Sequence, residues 1–480
     1  MSFFDSLTHE ARIAAMSVMD YVSGTGLRLG VTGLSRAGKT VFITSLVQNL
    51  IQHSNLPVLR VHAEGRLTGA SLQPQPDDAI PRFAIEEHLA ALQGDLRHWP
   101  DSTRRISELR LTLEFERKSG WRSGPASFTI DIIDYPGEWL LDLPLLSKTY
   151  DQWSRETLDS AREPGRAALA APFLAFVDGL DPAATASEDT ARQSAELFTA
   201  YLKACRAEKF ALSTLPPGRF LMPGDLEGSP ALTFAPLSIV EFTETADGSL
   251  HAMMERRYEA YKSHVVRPFF RDHFARLDRQ VVLVDALSAI NSGPAAMRDL
   301  ETALGDILGA FRAGRSNLLT TLFRPKIDRI LFCATKADQL HHTSHDRLEA
   351  ILRQTVARAI AKAEHVGASV DVIALAAVRA TREAAIKQKG TTLDAIIGTP
   401  LAGESVNGEI FDGQTEVALF PGSLPADPMD VFQGHGLAIP DGEADMRFIK
   451  FRPPVWTPKS PLPHIRLDRA MQFLLGDKLA

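Results

Sequence analysis

The stretch Gly33-Leu34-Ser35-Arg36-Ala37-Gly38-Lys39-Thr40 has the form GxxxxGK[ST], the pattern of a phosphate-binding loop. Its glycines let the backbone wrap until successive N–H groups point inward at phosphate oxygens. Gly33, Ser35, Arg36, Ala37, Gly38, Lys39, Thr40 and Val41 would form that cradle. Lys39 brings a point charge to the β- and γ-phosphates, and the Thr40 hydroxyl is a ligand for Mg²⁺. The flanks give the string its weight. Leu27-Arg28-Leu29-Gly30-Val31 reads as a buried strand, and Val41 to Leu50 repeats apolar residues at helical spacing. Strand, glycine-rich loop and helix is the order that aims a helix N-terminus at an anion.

Two further strings extend phosphate binding to nucleotide chemistry. Phe128 to Ile133 is a strand pattern ending in Asp134-Tyr135-Pro136-Gly137. An acid at the carboxyl end of such a strand holds Mg²⁺, often through water. Gly137 stands where a backbone N–H can approach a γ-phosphate with no side chain intervening. Farther on, Arg329 to Ala334 is a second apolar strand, ending in Thr335-Lys336-Ala337-Asp338. In a pattern of type [NT]KxD, the carboxylate accepts from the ring N1–H and exocyclic amine of guanine, an edge that adenine reverses. The lysine stem lies along the base and covers it with methylenes. Val370 to Leu375 is the last strand, running into Ala376-Ala377-Val378, residues small enough for a backbone N–H to reach the base oxygen.

The ordered set GLSRAGKT, DYPGE, TKAD and a late small-residue loop resembles the P-loop GTPases. Its wording, GLSRAGKT with DYPGEWL, is similar to the bacterial YcjX-like stress-associated nucleotide-binding proteins. The resemblance implies an α/β fold: a G-domain-like P-loop core with a mixed, mostly parallel sheet flanked by helices, plus large, mainly helical insertions. It also implies GTP or GDP as ligand with Mg²⁺ held by Thr40 and Asp134, guanine recognised by Thr335, Lys336, Asp338, Ala376, Ala377 and Val378, and GTP hydrolysis. Lys39, Gly137, Glu138 and Arg36 are the candidate catalytic residues. Small GTPases carry glycines in mid-loop where this chain has Ser35 and Arg36, and many place Gln where it has Glu138, followed by Trp139. Those departures predict slow intrinsic hydrolysis. Arg36 reads as a solvent-facing side chain, with a charge laid over the phosphates as the alternative. For the first switch, Thr68 and Thr103 are candidates by position only.

The segments between the motifs exceed a minimal G domain. We expect an amphipathic helix over residues 1–26, the first part of the P-loop domain over 27–180 with an insertion at about 51–107, and an inserted, mainly helical unit over 181–325. The second part of the P-loop domain follows over 326–397, then a Pro/Gly-rich segment with short strands and a terminal helix over 398–480. Pro172 to Asp178 is expected as the next central strand. Gln280 to Asp285 is strand-like and ends in an acid, which we read as structural because no loop glycine follows closely. Leu467 to Leu475 reads as a short amphipathic helix.

Composition narrows the classes. The chain has 480 residues, 45% hydrophobic and 23% charged, as in ordinary globular proteins. A formal charge of −7 argues against a nucleic-acid partner held by phosphate neutralisation. Cys205 and Cys333 lie in apolar periodic stretches, which fits a reducing compartment and a cytoplasmic protein. No apolar run is long enough to span a bilayer and no secretory leader is expected. The apolar stripe through Phe3, Phe4, Leu7, Ala11, Ala14 and Val18 suits docking on the P-loop domain, with membrane-surface contact disfavoured by scarce Lys and Arg. A protein partner is expected to read the insertions. His341, His342 and His345 invite a metal reading but lack a convincing fourth ligand, so a solvated helix start is preferred. Two other functions stay open: an ATPase or phosphotransferase using the same loop, and a non-catalytic scaffold with bound nucleotide.

Overall fold

The computed structural model describes residues 26–34, 36–101, 103, 105–118, 124–207, 210, 212–239, 246–310, 327–365, 367–388, 391–406, 408–434, 448–458 and 460–480. The expected N-terminal helix and Ser35 lie outside them. The described residues fall into two compact units, taken here one at a time. The first draws on Met1–Tyr135, Leu277–Leu287 and Ile327–Ala480, the second on Pro136–Arg276 and Ser288–Lys326.

The first unit is built on a seven-stranded sheet of β1 (Gly26–Gly33), β2 (Leu67–Gln73), β3 (Ser107–Arg117), β4 (Gly124–Asp134), β5 (Arg279–Val284), β6 (Arg329–Ala334) and β7 (Ser369–Ala374). Their spatial order is β2-β3-β4-β1-β5-β6-β7. From β4 to β7 every neighbouring pair is parallel, while β3 runs antiparallel to both β2 and β4. The fold is therefore α/β with a mixed, mostly parallel sheet. The helix Lys39–Gln52, here α1, leaves the end of β1 and buries Phe42, Ile43, Leu46, Val47 and Leu50 among strand residues such as Leu29, Val31, Ile130 and Leu283. The terminal helix Leu467–Leu475 forms as its spacing predicts, and Leu467, Ala470, Met471, Leu474 and Leu475 join the same core.

One expected strand is a helix. Pro172 to Val177 falls in the helix Ala167–Val177 of the second unit, with Pro172 inside it and Asp178 at its C-cap. An unbroken apolar run has no period to distinguish strand from helix, and the alanines favour helix. The central position beside β1 belongs to Arg279–Val284, all of whose residues are buried. Its Val-rich run suits a strand covered on both faces.

In the second unit, the 3₁₀ segment Gly137–Ser147 leads to the helices Tyr150–Ala161, Ala167–Val177, Glu188–Arg206, Leu250–Tyr261 and Pro294–Ala310. Thr149 and Gln152 form a reciprocal capping box at the first of these helices. Buried rings supply much of the core: Trp153 stacks on Tyr258 at 5.1 Å and meets Phe198 and Phe234 edge-on.

The C-terminal part of the first unit adds a three-stranded antiparallel sheet, β8 (Arg382–Gln388), β9 (Thr391–Gly398) and β10 (Val417–Leu419), in the order β10-β9-β8. Among the described residues, no helix is long and apolar enough to cross a membrane.

Candidate functional site

The loop between β1 and α1 has the features that a phosphate cradle requires. Gly38 adopts φ 81° and caps α1 with no side-chain hydrogen bond, leaving the N–H groups of the first helical turn directed off its end. At Gly33 a side chain would not fit, since a Cβ would stand 2.8 Å from the Leu283 carbonyl oxygen and 2.9 Å from the Ala37 Cβ. Lys39 is buried, and its Nζ donates to the Gly33 carbonyl at 3.2 Å. Arg36 is exposed, with φ 62°.

Beside this loop lies a set of hard oxygen donors. The Thr40 hydroxyl donates to the Asp101 carbonyl at 3.2 Å and stands 3.4 Å from the Thr103 hydroxyl. Thr103 in turn donates to Asp134 Oδ2 at 2.6 Å, while Thr68 is exposed on β2. Of the two threonines with equal claims in sequence, Thr103 is the one at the loop. Asp134 is fully buried at the end of β4, and desolvation pushes its carboxyl up to about 6 against the opposing effects of Lys39 and Thr103. Its Oδ1 has no hydrogen-bond partner among the described residues. A buried carboxylate oxygen left open beside two threonine hydroxyls fits Mg²⁺, a hard cation that prefers oxygen ligands. Next in sequence, Tyr135 anchors the strand end by donating to Gln280 Oε1 on β5 at 3.0 Å.

The TKAD segment is fixed from three sides. Thr335 N–H donates to the Val284 carbonyl at 3.0 Å, and Ala337 N–H donates to the Leu375 carbonyl at 3.1 Å. Lys336 takes a left-handed conformation, φ 62°, with its ammonium paired to Asp285 at the end of β5. Asp285 thus positions the TKAD lysine. Asp338 is buried, accepts from the Ala380 N–H at 2.9 Å, and has its carboxyl pushed up to about 6 by desolvation. The Thr381 hydroxyl donates to its backbone carbonyl. The small-residue loop is held as well: Ala376 exchanges two backbone hydrogen bonds with Ile465, and Ser45 of α1 donates to the Ala377 carbonyl at 2.5 Å.

Gly137 and Glu138 belong to the second unit, where the segment after the DYPG turn is tightly bound. Glu138 is buried and ion-paired with Arg206 at 2.7 Å. Gly218 lies so near that a Cβ there would stand 1.8 Å from the Glu138 carbonyl oxygen. The Gly218 N–H donates to Asp142 Oδ1 at 2.6 Å, Tyr261 donates to Asp142 Oδ2 at 2.7 Å, and the Arg219 guanidinium covers the Trp139 ring at 3.2 Å. Burial pushes the Asp142 carboxyl up to about 7.

Within the first unit, a cavity of about 260 Å³ is lined by Arg36 to Phe42, by Thr335, Lys336 and Asp338, and by Ala376, Ala377 and Val378. Its walls also include Trp99, Asp101, Thr103, Lys450 and Phe451. Trp99 and Phe451 arrive together, since the indole N–H donates to the Phe451 carbonyl at 2.7 Å. Sequence reading names Thr103 and passes over the other four. Only Thr103 carries a local signal; Trp99, Lys450 and Phe451 come to the cavity through long-range packing.

A glycine-rich strand-loop-helix turn and a TKAD loop on one cavity, over a mostly parallel sheet, define a P-loop α/β protein. Residues 27–479 match the YcjX-like family, DUF463, and the chain belongs to that family. It is 39% identical over 465 residues to the Ras-like GTPase YcjX of Escherichia coli, covering 94% of this chain and 96% of that one. It is 34% identical over 505 residues to the Ras-like GTPase YcjX of Shewanella oneidensis, covering the whole of both.

Proposed function

We propose that this chain binds guanine nucleotides with Mg²⁺, hydrolyses GTP slowly, and reports its nucleotide state to a protein partner through its insertions. The observation that carries the reading is the single cavity shared by the phosphate loop and the TKAD segment. Asp338 reads the N1–H and amine of guanine, while Lys336, fixed by Asp285, and Thr335 shape the base side. Ala376, Ala377 and Val378 meet the other edge of the base. Gly33, Ser35, Arg36, Ala37, Gly38, Lys39, Thr40 and Val41 receive the phosphates. Thr40 and Asp134 hold Mg²⁺, with Thr103 beside them; when bound, that ion neutralises charge on the β- and γ-phosphate oxygens. Gly137 senses the γ-phosphate by its backbone. Similarity to proteins named Ras-like GTPase supports GTP as the substrate.

Slow turnover follows from Glu138. A residue that is to orient the attacking water needs a free polar end, and the Glu138 carboxylate is engaged by Arg206. The same pairing favours a second reading, a nucleotide-bound scaffold that does not turn over. A reducing, cytoplasmic setting and service in stress response complete the proposal, the latter resting on family resemblance.

Phosphate release tests the assignment. The wild type should release phosphate from GTP and not from ATP, and Lys39→Ala should lose nucleotide affinity. Release from ATP at an equal rate, or unchanged affinity in Lys39→Ala, would refute it. Retained guanine nucleotide with no phosphate released even at long times would leave the scaffold.

A further inference from the structure

The histidines just past the TKAD loop meet carboxylates from strands that sequence reading does not connect with them. His341 precedes a 3₁₀ turn at His342–Ser344. The two imidazoles lie side by side with ring centres 4.3 Å apart. Glu383, on β8, accepts from His342 Nδ1 through Oε2 at 2.8 Å. Ligand atoms of His341, His342 and Glu383 all lie within 4.8 Å of one another. Asp394, on β9, brings a fourth group, with Oδ2 3.6 Å from His341 Nδ1. His345 stands apart, its Nε2 bonded to the Ala337 carbonyl at 2.8 Å.

We propose that His341, His342 and Glu383, with Asp394 as fourth ligand, form a site for a divalent transition metal of the Zn²⁺ type. Two imidazole nitrogens with carboxylate oxygen select zinc and its neighbours over Mg²⁺ or Ca²⁺, which favour all-oxygen sets. At bond lengths near 2 Å, tetrahedral ligands stand roughly 3.3 Å apart. From separations of up to 4.8 Å the cluster needs to contract by about 1.5 Å, and His342, 62% exposed, is free to turn.

The surroundings already resemble an outer shell. Thr343 N–H donates to His341 Nδ1 at 3.5 Å, a long contact that a metal at that nitrogen would replace, and the Thr343 hydroxyl donates to Asp394 Oδ2 at 3.1 Å. Arg379 lies 3.5 Å from Glu383 Oε1 and orients the carboxylate. His341 is mostly covered, only 12% exposed. These groups come from three segments: the turn three residues after Asp338, the start of β8 directly after Ala380 and Thr381, and β9. A bound ion ties them together. Because Ala380 and Thr381 hold Asp338, the ion braces the loop that carries the base-reading carboxylate; this last consequence rests on the guanine reading, whereas the metal site does not.

Zn²⁺ alone, titrated into chelator-stripped full-length protein against a chromophoric competitor, is the test. The account predicts one equivalent bound at least tenfold more tightly than in His342→Ala or in Glu383→Gln. Co²⁺ in its place should give the visible bands of a four-coordinate N/O site, absent from both variants. The three positions are at least partly exposed, so both variants should melt like the chelator-stripped wild type, and Zn²⁺ should raise the melting temperature of the wild type only. Equal affinity in the wild type and both variants, or no tight equivalent in the wild type, would overturn the proposal. GDP affinity measured without Zn²⁺ checks the nucleotide site separately.

Discussion

Replacing Asp338 by Asn separates what this residue costs the fold from what it contributes to recognition. Asp338 is buried with one oxygen on the Ala380 N–H, and desolvation raises its carboxyl from 3.8 to about 6. That displacement corresponds to about 3 kcal/mol of destabilisation when the group is forced to ionise. The sign follows from the raised value. Below the unfolded value, near pH 4, both states are protonated and nothing is lost. Stability then falls as pH rises toward 6 and stays lower above it. The nucleotide-free Asn variant should therefore match the wild type in denaturant melts at pH 4 and exceed it by up to about 3 kcal/mol at pH 7.5. Guanine affinity should move the other way. A carboxamide cannot accept from both the N1–H and the amine, and losing one charge-assisted hydrogen bond costs about 1.5–3 kcal/mol, or roughly ten- to a hundredfold in Kd. Xanthosine diphosphate, whose C2 oxygen accepts from the new amide, should gain. Competition against a fluorescent GDP analogue reads both changes. An unchanged ratio of GDP to xanthosine diphosphate affinity would remove Asp338 from base recognition. Identical melts at pH 7.5 would refute the burial argument.

The Asp134 carboxyl, raised to about 6, must ionise to bind Mg²⁺, so Mg²⁺-dependent nucleotide affinity should be level above pH 7 and fall about tenfold per pH unit well below 6, as titrations across pH 5 to 8 would show. Thr103→Ala removes the donor to Asp134 Oδ2 and should weaken the Mg²⁺ effect on GDP dissociation about tenfold or more, whereas Thr68→Ala, on an exposed strand position, should leave it unchanged. Gly218→Ala places a Cβ against the Glu138 carbonyl and should lower stability by about 1–3 kcal/mol in urea unfolding; wild-type stability would mean the close approach is not maintained in solution.

Much of the first unit was legible because its chemistry is local. β1, the phosphate loop and α1 occupy one continuous stretch, and Asp134 and Asp338 each announce themselves at the end of an apolar strand. The terminal helix was legible from its amphipathic spacing. Pro172 to Asp178 was misread because an apolar run carries no period, and its central place falls to Arg279–Val284 across a long excursion of the chain. Asp285 as the partner of Lys336 could not be read, since the pairing spans fifty-one residues that say nothing of one another. The same holds for Trp99 and Phe451 at the cavity and for Glu383 beside His342. Each is made by tertiary packing between segments with no short-range pattern in common.

The central claim is that TKAD reads guanine on the same cavity as the phosphate loop. Nucleotide-free protein should be saturated with a fluorescent GDP analogue in Mg²⁺ and competed in turn with GDP and ADP. The account predicts displacement by GDP at concentrations at least about a hundredfold below ADP, about 2.7 kcal/mol of discrimination. Equal competition by the two would contradict it and pass the phosphate loop to an ATP-using enzyme.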